Sequence, residues 1–343
     1  MVPSEPVIYK GNIAPTDWGP AVKLGRAYVE SLFEQHTGVY TWVEIEDQRY
    51  YLREVGAASV VDSGLFTSGS EAEQARYYAS VGETELVHPR KIVDTMPVKP
   101  GKILCVGLNY YDHAAEVGVE TPEHPTLFTK FRNALVGPED PIAMPADSQK
   151  IDYEAELCVV IGKNIRRVDE EEAYEAIAGY TIMNDVSVRD WQGRTSEWFQ
   201  GKNWDNSTPV GPAVVSRDTV DPVEGLPIEC LVDGKVVQSG NTRDMIFTPA
   251  QIVSYISCFM SLEPGDIIAM GTPAGVGMSK KPERFWLRPG MKVTTRIEGI
   301  GEITNPCVPE EQTEDHFQEK FWWGPVLSRR QAEGLGQGWT EDD

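Results

Sequence analysis

The sequence predicts a chain of many short strands and few helices, and three observations carry that reading. Short runs rich in β-branched residues recur along the chain, among them Val39 to Ile45, Lys102 to Val106, Ile151 to Ile161 and Asp266 to Met270. Several of these stop at or beside glycine: the third ends at Gly162 and the fourth runs into Gly271-Thr272-Pro273. Helical signals are few, and the two best are capping boxes that set helix starts at Asp169 and Thr248.

Residues 1–95 read as a small N-terminal domain. Ala21 to Gln35 carries Leu24, Tyr28 and Leu32 at helical spacing, with Val29 and Phe33 beside them, which predicts a helix ending near Gly38. Val39 to Ile45 and Arg49 to Val55 then read as a hairpin through Glu46-Asp47-Gln48, and Glu71 to Val81 as a short helix. His36 and His88 have no partner at useful spacing and are assigned surface or structural roles. The Pro- and Gly-marked stretch Asp94 to Gly101 sets the boundary to a second domain, residues 96–308.

The strand Lys102 to Val106 leads through Gly107-Leu108-Asn109 into a helical turn holding His113 and Glu116. At i and i+3 these two share a helix face, so the carboxylate can orient the imidazole and raise its basicity, as a proton-transfer pair requires. Pro125 to Asn133 is strand-like and brings Lys130 and Arg132 toward the same side, with His124 read as loop surface.

Ile151 to Ile161 is the centre of the chain. Period-2 geometry places Glu154 and Glu156 on one face, roughly 6.5–7 Å apart, and the unbroken apolar run Leu157 to Ile161 sends the strand into a core. Two carboxylates losing hydration together call for a cation between them, and an oxygen-preferring divalent ion is the natural one. A third carboxylate is available in Asn184-Asp185-Val186-Ser187-Val188-Arg189-Asp190, which follows the apolar run Tyr180 to Met183.

Asp169 to Glu172 is a capping box and therefore a structural acidic run. Asn184 to Pro212 interleaves Trp191, Trp198 and Trp204 with Arg189, Gln192, Lys202 and Asp205; the tryptophans read as packing residues. Thr248-Pro249-Ala250-Gln251 starts a helix expected to bury Ile252, Ile256 and Phe259 with Tyr255 and Met260. Gly275 and Gly277 allow the backbone close to a ligand. Residues 309–343 form an acidic tail with the aromatic knot Phe321-Trp322-Trp323, expected to pack on the body; His316 and Glu319 in it read as a surface ion pair.

Composition narrows the partners. With 53 acidic and 31 basic residues the chain carries a formal charge of −22, which repels nucleic acid and anionic membrane. An organic acid substrate then needs local cations at its site. The cysteines Cys105, Cys158, Cys230, Cys258 and Cys307 are scattered without a CxxC and read as buried reduced thiols of a cytoplasmic protein. No apolar run approaches the roughly 18 residues of a membrane span, and the polar start reads as no signal peptide.

Taken in order, Val106-Gly107-Leu108-Asn109-Tyr110 with His113 and Glu116, then Glu154 and Glu156, Asp185, Gln192, Gly201-Lys202 with Asp205, Pro209 to Pro212 and Gly271 to Gly277 resemble the fumarylacetoacetate hydrolase superfamily over about residues 100–307. The resemblance implies a β-rich α+β catalytic domain, a mixed β-sandwich roll that pairs as a homodimer, with one Mg²⁺ or Mn²⁺ on Glu154, Glu156 and Asp185. It further implies a lid-borne dyad of His113 and Glu116, with Lys202 and Gln192 steadying an oxyanion. Arg189 near the substrate and Thr272 on its carboxylate complete the set.

One departure is informative. Fumarylacetoacetate hydrolase itself has a further Asp ligand in the strand before the His, where this chain has Val106. The pattern is the three-carboxylate one of acylpyruvate hydrolases, oxaloacetate decarboxylases and homoprotocatechuate-pathway isomerases. The expectation is a metal-dependent hydrolase of a C–C bond in a 2,4-dioxo acid. Decarboxylation or isomerisation of a 2-oxo acid is the alternative, and an idle metal-binding scaffold is disfavoured by the intact His113, Glu116 and Lys202.

Overall fold

The computed structural model describes residues 23–31, 38–45, 48–53 and 89–312, and among these two sheets carry the fold. The larger has eleven strands. Its hydrogen-bonded order is Gln48–Arg53, Gly38–Ile45, Lys23–Ser31, Thr208–Ser216, Ile177–Asn184, Ala155–Ile161, Ile267–Ala269, Ile103–Gly107 and Thr126–Thr129. Pro89–Thr95 pairs with Lys23–Ser31, and Leu135–Val136 with Thr208–Ser216. The smaller sheet runs Lys235–Asn241, Pro227–Val232, Lys292–Ile297, Gly301–Pro309 and Ile142–Met144. A two-stranded ladder joins Ile151–Asp152 to Ser187–Val188. Among the described residues five short α-helices stand against this, the longest of them Pro249–Ser257, so the strand-rich α+β reading holds.

The strand Ala155–Ile161 is buried along its whole length and separates two cores. Leu157, Val159 and Ile161 point into the larger one, with Ile228, Cys230, Val293, Ile297 and Ile303 of the second sheet. Cys158 and Val160 point the other way, toward Cys105, Ile267, Met183 and Val214. Each fully buried aliphatic side chain contributes about 1.5–3 kcal/mol, so the strand is held from both faces. Glu156 shares the face of Cys158 and Val160, and Glu154 stands just before the start of the strand.

Several expectations are corrected. Residues 23–31 form a strand where helical spacing predicted a helix. They pair with Gly38–Ile45, with Pro89–Thr95 and, through Lys23 and Leu24, with Val215 and Val214. Ladder bonds to three strands, two of them far along the chain, outweigh a weak local period. Strands from both sides of residue 96 thus lie in one sheet. The hairpin of Gly38–Ile45 and Gln48–Arg53 forms as expected.

Ile151 to Ile161 is also not one continuous strand, for it breaks at Tyr153 and Glu154. There side-chain acceptors replace the ladder: Tyr153 N–H donates to Asp152 Oδ1 (2.9 Å) and Glu154 N–H to Asn184 Oδ1 (3.0 Å). Both capping boxes are present, at Asp169 with Glu172 and at Thr248 with Gln251. The second helix buries Pro249, Ile252, Val253 and Ile256, but Tyr255 and Phe259 lie off that stripe and are exposed. Cys258 is exposed as well, whereas the other four cysteines are buried.

The expected helix at Glu71 to Val81, His36, His88, and the tail residues His316, Glu319, Phe321, Trp322 and Trp323 lie outside the described residues. Among the described residues, no helix is long and apolar enough to cross a membrane.

Candidate functional site

The antiparallel pairing of Ala155–Ile161 with Ile177–Asn184 sets Ala155 opposite Asn184. One residue outward on each strand, Asp185 N–H donates to the Glu154 carbonyl at 2.9 Å. Glu154, Glu156 and Asp185 are therefore neighbours. All three are buried, and one oxygen from each lies within 4.8 Å of the others.

Three cations surround them. Lys202 Nζ lies 2.6 Å from Glu154 Oε2 and 2.7 Å from Asp185 Oδ2. Lys130 Nζ donates to Asp185 Oδ1 (2.7 Å) and to the Val186 carbonyl (3.2 Å). Arg189 bridges Asp152 Oδ2 through Nε (2.8 Å) and Glu154 Oε1 through Nη2 (2.6 Å). Lys202 arrives on the short helix Phe199–Lys202, whose Gly201 packs so closely on Gln192 that an added Cβ would lie 2.4 Å from the Gln192 Cβ.

Four buried carboxylates thus face three buried cations, leaving one negative charge in excess. Burial pushes the Glu154 carboxyl up, but Arg189 and Lys202 outweigh it and hold Glu154 well below the usual carboxylate range. Glu156 goes the other way: burial, Asp185 and Glu154 all push its carboxyl well above that range. Burial disfavours the Lys202 ammonium, yet Asp185 and Glu154 hold its pKa above that of an ordinary lysine. An all-oxygen set of three clustered carboxylates, short of positive charge, fits a hard divalent ion. A divalent ion and one substrate carboxylate would bring the cluster to neutrality.

The helix Tyr111–Val117 carries the dyad. It follows a tight turn in which Leu108 has φ 57°, fixed because Asn109 donates to the Phe247 and Met270 carbonyls and accepts from Phe247 N–H. His113 Nδ1 lies 3.1 Å from Glu116 Oε2. With Nδ1–H facing that carboxylate, Nε2 carries the free lone pair. His113 is 8% exposed. The helix is docked on the glycine-rich loop, whose Ala274 N–H donates to Asp112 Oδ2 (3.2 Å) and Gly275 N–H to Glu116 Oε1 (3.0 Å).

The remaining expected residues are placed differently. Gln192 accepts from Arg189 Nη1 through its side-chain oxygen at 3.0 Å, which leaves its amide NH₂ as the end able to donate. Thr272 donates its hydroxyl proton to the Ala155 carbonyl (2.9 Å) and accepts from Gln238 Nε2 (2.7 Å). That proton is committed to the strand, so the Thr272 side chain offers no donor to a substrate carboxylate in this arrangement. Asp205 accepts from Asn133 on the exposed rim.

Sequence reasoning named Lys130 without giving it a role and missed Asp152 and Gln238. Lys130 had a signal, a lone cation in the run Leu127 to Phe131. Asp152 stands two residues before Glu154 and shares its period. Gln238, 83 residues from its partner Ala155, had none.

Comparison with known proteins follows this geometry. The family model described as fumarylacetoacetate (FAA) hydrolase C-terminal matches residues 102–308. The fumarylacetoacetate hydrolase domain-containing protein 2 homolog of Dictyostelium discoideum is 45% identical over 61% of this chain and 72% of its own length. The oxaloacetate tautomerase fahd2, mitochondrial, of Xenopus laevis is 40% identical over 72% of this chain and 76% of its own. Among solved structures, a fumarylacetoacetate hydrolase from Exiguobacterium antarcticum superposes with TM-score 0.69 at 33% identity, covering 84% of this chain and all of that one. A 2-hydroxyhepta-2,4-diene-1,7-dioate isomerase from Mycobacterium marinum gives 0.65 at 32%, covering 84% and 99%.

Proposed function

The chain belongs to the fumarylacetoacetate hydrolase family, and from that premise we propose that it is a metal-dependent enzyme that moves a proton on a small 2-oxo acid, interconverting keto and enol forms. The observation that carries this is the dyad: a nearly buried His113, its Nδ1 held by Glu116, on a helix docked to the glycine-rich loop whose Gly271 N–H donates to Glu156 of the carboxylate triad. Glu154, Glu156 and Asp185 would hold Mg²⁺ or Mn²⁺, which when bound supplies Lewis-acid stabilisation of enolate charge.

The chain's own residues supply the rest. Nε2 of His113 takes the proton from the carbon next to the 2-oxo group; the C–H pair becomes the C=C bond as the carbonyl pair moves onto oxygen. Lys202 and Arg189 keep positive charge beside that oxygen, and returning the proton there completes the exchange. The tautomerase name of the Xenopus laevis relative and the isomerase name of the Mycobacterium marinum structure support proton transfer.

Hydrolysis of a 2,4-dioxo acid stays as the second reading, because the same His113–Glu116 pair is what a water attacking an unactivated ketone needs. Purified protein with Mn²⁺, given oxaloacetate and then acylpyruvates, separates the two. Decay of the enol's ultraviolet absorbance far above the buffer rate, without release of pyruvate, is the expected result. Pyruvate released from acylpyruvates with no effect on enol decay would overturn it in favour of hydrolysis.

A further inference from the structure

Asp152 is a fully buried carboxylate that the chemistry above does not use, yet it is among the most heavily bonded side chains near the site. Each oxygen receives two donors. Oδ1 accepts from Tyr153 N–H (2.9 Å) and Gly277 N–H (2.7 Å); Oδ2 accepts from Met278 N–H (3.0 Å) and Arg189 Nε (2.8 Å). It thereby joins three segments: the break in the central strand, the glycine-rich loop, and the first turn of the helix Arg189–Gln192. Gly277 is required there, because a Cβ would fall 2.6 Å from Asp152 Oδ1 and 2.0 Å from the Phe285 carbonyl oxygen.

The consequence lies in what Arg189 does with its other nitrogens. Nη2 lies on Glu154 Oε1 and Nη1 donates to Gln192 Oε1. A guanidinium is a rigid planar fork, so fixing Nε on Asp152 fixes where both terminal nitrogens point. We propose that Asp152 is a positioning residue, which aims Arg189 so that Glu154 and Gln192 are presented to the metal and the substrate. Carboxylates that orient a site from behind its ligands are worth about 10–100-fold in metal affinity. The proposal rests on the reading of Glu154, Glu156 and Asp185 as a metal site.

Asp152→Asn tests it at nearly constant shape, since either orientation of the amide sets an NH₂ against two existing donors. Removing one partner of a buried ion pair can unfold a protein, whereas replacing both is far better tolerated. The double variant Asp152→Asn/Arg189→Gln therefore guards against an uninformative collapse. The readouts are Mn²⁺ affinity of the chelator-treated full chain, affinity for oxalate as a planar two-oxygen anion in the presence of Mn²⁺, and melting temperature.

The expected result is a loss of Mn²⁺ affinity of about 10–100-fold in Asp152→Asn and in Arg189→Gln. The double variant should lose about as much as either alone, because the two act in series, while recovering melting temperature. Parental Mn²⁺ and oxalate affinity in the double variant, with only melting temperature changed in Asp152→Asn, would overturn the proposal and leave Asp152 a fold residue. Multiplying losses in the double variant would also overturn it, because the two would then act independently. A parent that binds no Mn²⁺ would instead defeat the metal-site reading itself.

Discussion

At Glu156 the site holds a carboxyl that burial, Asp185 and Glu154 all push well above the usual range. Its folded pKa exceeds its unfolded one, so the metal-free protein is favoured at low pH. It loses that stability as pH rises from the ordinary value of about 4.3 through the raised one. A metal takes only the ionised form. The gain in melting temperature on adding Mg²⁺ should therefore grow with pH across that window, and Glu156→Gln should remove both the pH trend and the gain. An equal Mg²⁺ gain at every pH would show that Glu156 does not exchange a proton for the metal. The dyad makes a separate prediction. His113→Ala should lower turnover by about 10²–10⁴-fold, the usual worth of a general base, with Mn²⁺ affinity kept. Glu116→Ala should cost less, since it orients the ring without taking the proton, though it also accepts from Gly275 N–H. Steady-state rates beside an Mn²⁺ titration read both; parental turnover in His113→Ala would remove the base from the account.

Between elements, the spacing of Glu154 and Glu156 is held by a clamp on the residue between them. Ala155 N–H donates to Gln238 Oε1 at 3.0 Å, while its carbonyl accepts from Thr272 at 2.9 Å. Gln238 also donates to the Pro273 carbonyl at 2.8 Å, so one amide ties the smaller sheet, the central strand and the glycine-rich loop together. Gln238→Leu leaves buried donors and acceptors unpaired at about 1–3 kcal/mol each. It should lower the melting temperature and weaken Mn²⁺ binding in the same variant. Lost stability with parental Mn²⁺ affinity would confine the clamp to the fold. Local elements were legible where the signal was local: both capping boxes, the hairpin and the strands around Val106 and Ile268 follow from short patterns. The strand at 23–31 was not, because its partners come from residues 38–45, 89–95 and 214–215. The break at Tyr153 was not either, because its acceptor on Glu154 N–H comes from Asn184, 30 residues away.

Across the molecule, a chain of formal charge −22 gathers Lys130, Lys202 and Arg189 at one buried point, where they face Glu154, Glu156, Asp185 and Asp152. Glu154 with Glu156 and His113 with Glu116 could be read from short spacings, i and i+2 on one stretch and i and i+3 on a helix, whereas Asp185 joins them through its backbone bond to Glu154, 31 residues away. The cations and braces behind them required the fold, which brings Lys130 to Asp185 across 55 residues and Asp152 to Gly277 across 125. The account stands on those carboxylates holding one divalent ion. Titration calorimetry of chelator-treated protein with Mn²⁺, run on the parent and on Asp185→Ala, tests this most directly. One ion per chain in the parent and none in the variant is the expected result. Asp185→Ala binding Mn²⁺ as tightly as the parent would contradict it.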